Sequence, residues 1–234
     1  MNSEKWNSIR EELLSKKLLK ISPTNIDAII MDTCCALDAH ELGLDYCQYL
    51  RANDYKFNLA TLGKYFKLLT RENKELAKDT EEDILRLYSE FRREYPMMDP
   101  TTAEYCVVGL ARTRNWRECL ELIETIEETA NPSNEALTSV ICAAFRDNEP
   151  DIAWDYMRKV VARSRLRLDR KVYEAYIDYS VRTTKSQEEL EAEVGKMFQA
   201  LAEWDEYPWL SSMERFTEVL KKYGWHGRRT IIGM

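Results

Sequence analysis

The feature that most constrains this sequence is the regular recurrence of turn-forming residues between apolar, helix-periodic stretches. Turn signals fall at positions 23, 58, 100, 132, 169 and 208, so successive intervals run from 32 to 42 residues. Each interval holds two stretches with apolar residues at helical spacing, such as residues 137–145 and 152–161, joined by a short polar turn. This pattern predicts an all-α fold of about five stacked helix hairpins, an α-solenoid, because one such hairpin buries its apolar stripe only against the next.

Composition agrees with an all-α fold. Seven glycines and six prolines in 234 residues are about half of the usual share, which argues against a turn-rich β fold. The glycines stand alone, so a Gly-rich phosphate-binding loop is excluded. Apolar runs are far shorter than the roughly 18 residues of a membrane helix, and residues 1–20 lack the pattern of a targeting peptide. We therefore expect no membrane span and no targeting peptide.

Charge is unevenly distributed along the chain. The net charge is −7, from 34 basic and 41 acidic residues, which argues against a polycation that coats nucleic acid regardless of sequence. Residues 159–185 nevertheless carry eight bases against three acids, whereas residues 118–135 carry six acids and no base. The sequence therefore allows a basic face on an acidic body.

An arginine recurs at one position of the predicted first helices, which stacking should align across repeats. The residues taken to precede these helices are Asn58, Thr101, Ser133 and Asp169. The thirteenth residue after each is an arginine: Arg71, Arg114, Arg146 and Arg182. Such a ladder would place guanidinium groups along one edge, where they could grip the phosphates of a polyanion. The alternative is that a base at a helix end only complements the helix dipole.

Further residues of the first helices and their flanks complete the predicted RNA-contacting set: Lys64, Lys67, Arg112, Thr138, Arg170 and Lys171. Helical repeats that read single-stranded RNA recognise one base per repeat through a few side chains. The fifth residues of the first helices are Gly63, Cys106, Thr138 and Glu174, of which only Thr138 suits this role. A chain that cannot read bases must recognise folded RNA by its backbone and shape.

Three tyrosines, Tyr65, Tyr105 and Tyr173, lie in successive first helices and could stack on exposed bases. Their helical spacing beside apolar residues favours a place in the interhelix core instead. Trp116 and Trp154 are also expected to pack between hairpins.

The repeat unit resembles the pentatricopeptide repeat, with small-plus-apolar dipeptides early in second helices. These dipeptides are Gly43-Leu44, Cys119-Leu120 and Ala153-Trp154. A closer resemblance rests on residues 110–117 (LARTRNWR), 131–133 (NPS), 151–154 (DIAW), 173–179 (YEAYIDY) and 223–230 (YGWHGRRT). In order and spacing these segments resemble the repeat region of the animal protein-only mitochondrial ribonuclease P family, over roughly the last 130 residues.

The resemblance implies a function and a domain order. Members of that family remove the 5′ leader of precursor tRNA, and their repeat region holds the tRNA elbow. We therefore expect an N-terminal helix in residues 1–22, the repeat array in 23–207, a closing helix in 208–224 and the first strand of a β central domain in 225–234. The resemblance also implies Mg²⁺ and structural Zn²⁺ in further domains, the mitochondrial matrix as location, and a tRNA methyltransferase and a short-chain dehydrogenase as partners.

The residues themselves offer no catalytic centre. Metal-assisted hydrolysis of a phosphodiester needs convergent carboxylates, and the dense acids of residues 188–193 point to several faces of a helix. The two histidines, His40 and His226, have no cysteine pair beside them. Together with the resemblance, which implies a hydrolase that acts on tRNA, the sequence predicts an RNA-binding repeat domain; the alternative is a protein-binding helical-repeat scaffold.

Overall fold

Twelve α-helices form the part of the chain that the structure, a computed structural model, describes. That part comprises residues 3–15, 23–37, 39–55, 57, 59–70, 78–94, 98–113, 115–163, 167–206 and 210–222. The helices are α1 Ser3–Ser15, α2 Pro23–Ala36, α3 His40–Ala52, α4 Leu59–Thr70, α5 Lys78–Glu94, α6 Pro100–Leu110, α7 Glu118–Glu127, α8 Asn134–Arg146, α9 Pro150–Ala162, α10 Arg170–Thr183, α11 Gln187–Glu203 and α12 Leu210–Lys222. No strand occurs in these ranges, so the predicted all-α class is confirmed there.

The chain divides into two compact units, Met1–Pro132 and Ser133–Met234. In the first unit, α2 pairs with α3 and α6 with α7, while α2, α4 and α6 pack in succession. α4 and α6 run parallel, since a β-carbon placed at Gly63 would meet Tyr105 and one placed at Gly109 would meet Phe66. The helices predicted to be first helices of repeats, α2, α4 and α6, thus stack on each other within this unit, as the sequence predicts.

The first helix of the chain is tied to α2 and α3 by polar contacts as well as by packing. Trp6 is buried and its indole Nε1 donates to Asp45 Oδ2 at 2.9 Å. Arg10 Nε donates to Asp27 Oδ1 at 2.9 Å, and Tyr46 Oη donates to the same carboxylate oxygen at 2.6 Å. α1 is therefore part of the first unit's core.

In the second unit, α8 pairs with α9, and α10 contacts α8, α11 and α12. The α8–α9 turn depends on Asn148, which takes a left-handed backbone with φ of 61°. The next amide, of Glu149, donates to the Ala144 carbonyl at 2.8 Å, which closes the end of α8 in the manner of a Schellman cap. At the other end of the unit, Phe198 of α11 and Phe216 of α12 are in ring contact at 5.4 Å.

One predicted helix start is wrong. α6 begins at Pro100, not after Thr101, because the Asp99 carboxylate accepts the Thr102 amide at 3.1 Å and Pro100 occupies the first helical position. Ser133 and Asp169 are N-caps as predicted. The number of repeats and the domain boundaries stay predictions, and the predicted strand in 225–234 lies outside the described residues.

Candidate nucleic-acid interface

The N-caps define a common register for the first helices α6, α8 and α10. Counted from Asp99, the thirteenth residue is Arg112, whereas counts from Ser133 and Asp169 give Arg146 and Arg182. All three are arginines, and all three are partly or fully exposed. Correcting the start of α6 therefore keeps an arginine at this position but replaces Arg114 with Arg112.

Two of these helices, α8 and α10, lie side by side and parallel within the second unit. At their amino ends, Asn134 Nδ2 donates to the Arg167 carbonyl at 3.1 Å. Further along, the Phe145 ring contacts those of Tyr176 and Tyr179, with centroids 5.3 and 5.4 Å apart. Because these contacts advance in the same direction along both helices, their carboxyl ends lie at one edge.

Arg146 and Arg182 both lie at that edge. Arg182 Nη2 donates to the Phe145 carbonyl at 2.7 Å and to Asn148 Oδ1 at 2.9 Å. Arg146 forms an ion pair with Asp147, Nε to Oδ1, at 2.9 Å, and its side chain is 40% exposed. The structure thus brings together two of the four predicted ladder arginines, and it gives one of them a second role in holding the helix ends.

Each helix presents one exposed stripe, at the second, sixth, ninth and thirteenth positions after the N-cap, with the fifth position of α10 beside it. We define the α8–α10 face by the partly or fully exposed residues at these positions: Glu135, Ser139, Cys142, Arg146, Lys171, Glu174, Ala175, Asp178 and Arg182. Each stripe spans less than a quarter turn of its helix, at 100° per residue. The face carries three bases and three acids, and two of the bases, Arg146 and Arg182, lie at its carboxyl edge.

Cys142 marks the centre of this face. Its Sγ lies 3.6 Å from the Lys171 carbonyl, which joins α8 to the start of α10. Burial raises the pKa of the Cys142 thiol to about 12, with opposing influences from Lys171 and Arg146 on one side and from Asp169 and Glu174 on the other. The thiol is therefore neutral at physiological pH, and both signs of charge surround it.

The remaining predicted contacts fall in different surroundings. Arg170 Nε pairs with Glu174 Oε1 at 2.7 Å, and Lys171 is exposed on the α8–α10 face. Lys64, in the first unit, is mostly buried and pairs with Asp32. Thr138 is 5% exposed, which places it in the core side of α8. Arg71, Arg114 and the side chain of Lys67 lie outside the described residues.

Aromatic residues at the first helices mainly build the core. Tyr65 and Tyr173 are 4% and 0% exposed, and Trp116 is 1% exposed, which confirms their interpretation as core residues. Trp154 is half-buried and contacts Tyr176 in the second unit, with ring centroids 5.6 Å apart.

Asp178 and the helix-end contact of Arg182 were missed from sequence, and Glu174 was found as the fifth residue of its helix but not as part of an exposed acidic stripe. Asp178 could have been found by the same count from the Asp169 N-cap, since it shares the stripe of Arg182 at helical spacing. The bond between Arg182 and the Phe145 carbonyl had no sequence signal, because it joins residues 37 positions apart in chain order.

Two other features, a metal site and a membrane-spanning helix, are not found in the described ranges. No group of three or more His, Cys, Asp or Glu side chains there could hold a metal ion. The described helices include none that is long and apolar enough to cross a membrane.

Comparison with known proteins gives a distant similarity. No protein-family model matches the chain. The chain is 22% identical over 182 residues to the mitochondrial ribonuclease P catalytic subunit of Mus musculus, an alignment that covers 76% of this chain and 29% of the mouse protein. For the same subunit of Rattus norvegicus the identity is 22% over 167 residues, covering 70% of this chain and 26% of the rat protein. The chain thus spans less than a third of these relatives, and the predicted similarity to mitochondrial ribonuclease P is confirmed at this distant level.

Proposed function

We propose that this chain is an RNA-binding helical-repeat domain that holds the folded tRNA part of mitochondrial precursor tRNA while a separate nuclease domain removes the 5′ leader. The observation that carries the proposal is that Arg146 and Arg182 both lie at the carboxyl edge of α8 and α10, where Arg182 binds the carbonyl of the residue before Arg146. The distant similarity to ribonuclease P subunits supports the choice of tRNA as the ligand.

The arginine edge is suited to phosphates in a fixed geometry. Guanidinium groups offer several N–H donors in a plane and bind phosphate oxygens bidentately. Both hydrogen bonds of Arg182 use Nη2, so the edge formed by Nε and Nη1 can face a phosphate while the helix-end contact persists. Arg112 occupies the equivalent position of α6 and is proposed to act in the same way.

The finer parts of this proposal follow from the resemblance alone. They are recognition of the tRNA elbow through pentatricopeptide repeats, a place in the mitochondrial matrix, and assembly with a tRNA methyltransferase and a short-chain dehydrogenase. Mg²⁺ and Zn²⁺ are assigned to other domains, and no step of binding by this chain uses them.

The direct test is a titration of the full 234-residue chain with folded precursor tRNA and with an unstructured RNA of the same length, at several salt concentrations. We expect tighter binding of the folded RNA and a negative slope of log K against log salt, since each phosphate contact contributes about 0.9 to the slope for a duplex. Equal affinity for the two RNAs would overturn the proposal.

A variant pair assigns the binding to the arginine edge. Arg146→Ala should reduce the salt slope by about one unit. Arg158→Ala is the matched control for Arg146, because Arg158 is exposed on α9 and paired with Asp155 at 2.8 Å. An unchanged slope in Arg146→Ala, or an equal loss in the control, would show that the edge is not the site.

A second candidate function, a protein-binding scaffold, is favoured by one observation in the first unit. Leu37 at the end of α2 is 72% exposed, and Ile29 and Leu42 nearby in sequence are 44% and 47% exposed. Exposed apolar groups of this kind are common at protein contacts. Absence of binding to either RNA in the titration would favour this function.

A further inference from the structure

The acidic side chains of the α8–α10 face lie where they can affect how RNA binds beside Arg182. Glu174 and Asp178 precede Arg182 on α10 by eight and four residues, so both lie within about 80° of it around the helix axis. Asp178 is exposed and Glu174 half-exposed. An RNA strand that follows α10 from its carboxyl end toward its middle would therefore leave an arginine and meet two carboxylates.

We propose that Glu174 and Asp178 exclude single-stranded RNA from the middle of the α8–α10 face, so that phosphates are accepted only at the edge of Arg146 and Arg182. This inference rests on the proposed function and adds the residues that set its preference for folded RNA. The acids act by repulsion, as negative elements that lower the affinity for a competing ligand.

The geometry explains why the two RNA classes respond differently. A flexible single strand gains affinity by laying successive phosphates and bases along a groove, which here would bring its phosphates against Glu174, Asp178 and Glu135. A rigid folded RNA holds its phosphates at fixed positions and can touch the arginine edge without entering the middle of the face. The carboxylates therefore penalise the flexible ligand more than the folded one.

The same register places a carboxylate at the fifth position of two helices. That position is Glu104 in α6, counted from Asp99, and Glu174 in α10. In α8 it is Thr138, which is buried. None of the three described first helices with a defined N-cap therefore presents a neutral polar side chain at this position to an RNA base.

The test compares Glu174→Gln with Asp178→Asn as a double variant against wild type. Asp151→Asn with Asp155→Asn on α9 is the matched control: it removes the same two charges and releases Arg158 from its pair with Asp155, as Glu174→Gln releases Arg170. Each full chain is titrated with folded precursor tRNA and with a single-stranded oligonucleotide of unstructured sequence, and folding is checked by circular dichroism.

We expect the face variant to bind the single strand about tenfold or more tightly than wild type, because it removes two negative charges from the face and frees Arg170 from its pair with Glu174. Its affinity for folded tRNA should change about threefold or less, and its salt slope for the single strand should steepen by about 0.7 for each phosphate gained. The control should leave the ratio of the two affinities unchanged.

Three results would overturn the inference: no gain for the single strand, an equal gain for both RNAs, or the same gain in the control. These results differ from failure of the proposed function, which would appear as equal binding of both RNAs by the wild-type chain. A properly folded face variant that still rejects the single strand would leave the arginine edge in place but assign the preference to other residues.

Discussion

Arg182 donates a 2.7 Å hydrogen bond to the backbone carbonyl of Phe145, the residue before the last residue of α8. That carbonyl also accepts the Asn148 amide at 3.3 Å in the turn that ends α8, so the cation from α10 is a second donor to it. The same guanidinium nitrogen holds Asn148 in the following turn. Two neighbouring hairpins of the second unit are thus fastened at the edge where the candidate RNA contacts lie.

We predict that Arg182→Ala lowers the free energy of unfolding by about 1 to 2 kcal/mol, because it removes a charge-assisted hydrogen bond to the part-buried Phe145 carbonyl. Arg182→Lys should lose a similar amount, since a point charge on a flexible stem does not reproduce the planar geometry. Urea denaturation of both variants measures the loss. Arg158→Ala, which breaks only an exposed pair, should change stability by less than about 0.5 kcal/mol; equal losses in all three would contradict the assigned role.

Two helical glycines should respond in opposite ways to alanine. A β-carbon at Gly109 would lie 2.7 Å from Phe66 Cδ1, where α6 packs on α4, whereas one at Gly195 of α11 meets nothing within 4 Å. Gly109→Ala should therefore cost about 1 to 3 kcal/mol from overpacking.

The same substitution at Gly195 should raise stability by about 0.5 to 1 kcal/mol, from the helix propensity of alanine. Thermal melts of the two single variants distinguish these effects. A stabilised Gly109→Ala protein would mean that α4 and α6 do not approach each other closely.

The buried ion pair of Arg10 and Asp27 predicts that removing one carboxylate charge strongly lowers the free energy of unfolding. The two side chains are 12% and 6% exposed, and Tyr46 donates to the same carboxylate at 2.6 Å. Asp27→Asn should cost about 3 kcal/mol or more, because it leaves a buried guanidinium without its counter-charge.

Asp32→Asn is the control for that change, since Asp32 is 63% exposed and pairs with Lys64 from the surface. It should lower the unfolding free energy by less than about 1 kcal/mol. Chemical denaturation of both variants gives the comparison, and a loss at Asp27 no larger than at Asp32 would show that α1 is not held by this pair.

The sequence predicted the helices and most first-helix starts because they depend on local signals. Ser133 and Asp169 are N-caps next to apolar periodic stretches, and both act as predicted. Thr101 is not the residue before α6, because Asp99 caps the helix and Pro100 takes its first position. The sequence prediction followed the spacing between repeats and so passed over this cap. Contacts between repeats, such as Arg182 with Phe145, depend on how hairpins stack, and periodicity alone does not determine that.

Two buried polar groups near α10 predict that the stability of the fold depends on pH. Glu206 Oε1 and the Tyr173 hydroxyl are buried and have no hydrogen-bond partner. Burial raises the pKa of Glu206 above its ordinary value, and the opposing effects of Arg167 and the Leu168 amide are smaller. The folded protein therefore holds the proton of this carboxyl more tightly than the unfolded chain does.

A carboxyl with a raised pKa in the folded state stabilises the fold when it is protonated, and this stabilisation is lost as pH rises through the folded pKa. We therefore predict that Glu206→Gln is more stable than wild type at pH 7 to 8, and that the difference shrinks as pH falls toward the ordinary glutamate value of about 4.3. Melting temperatures of both proteins across this pH range measure the difference in stability. The effects of the other carboxylates cancel, because both proteins contain them. Glu203→Gln, an exposed change one turn earlier, should show no such trend. A difference that grows on acidification would mean that Glu206 is ionised and favourably paired in the fold.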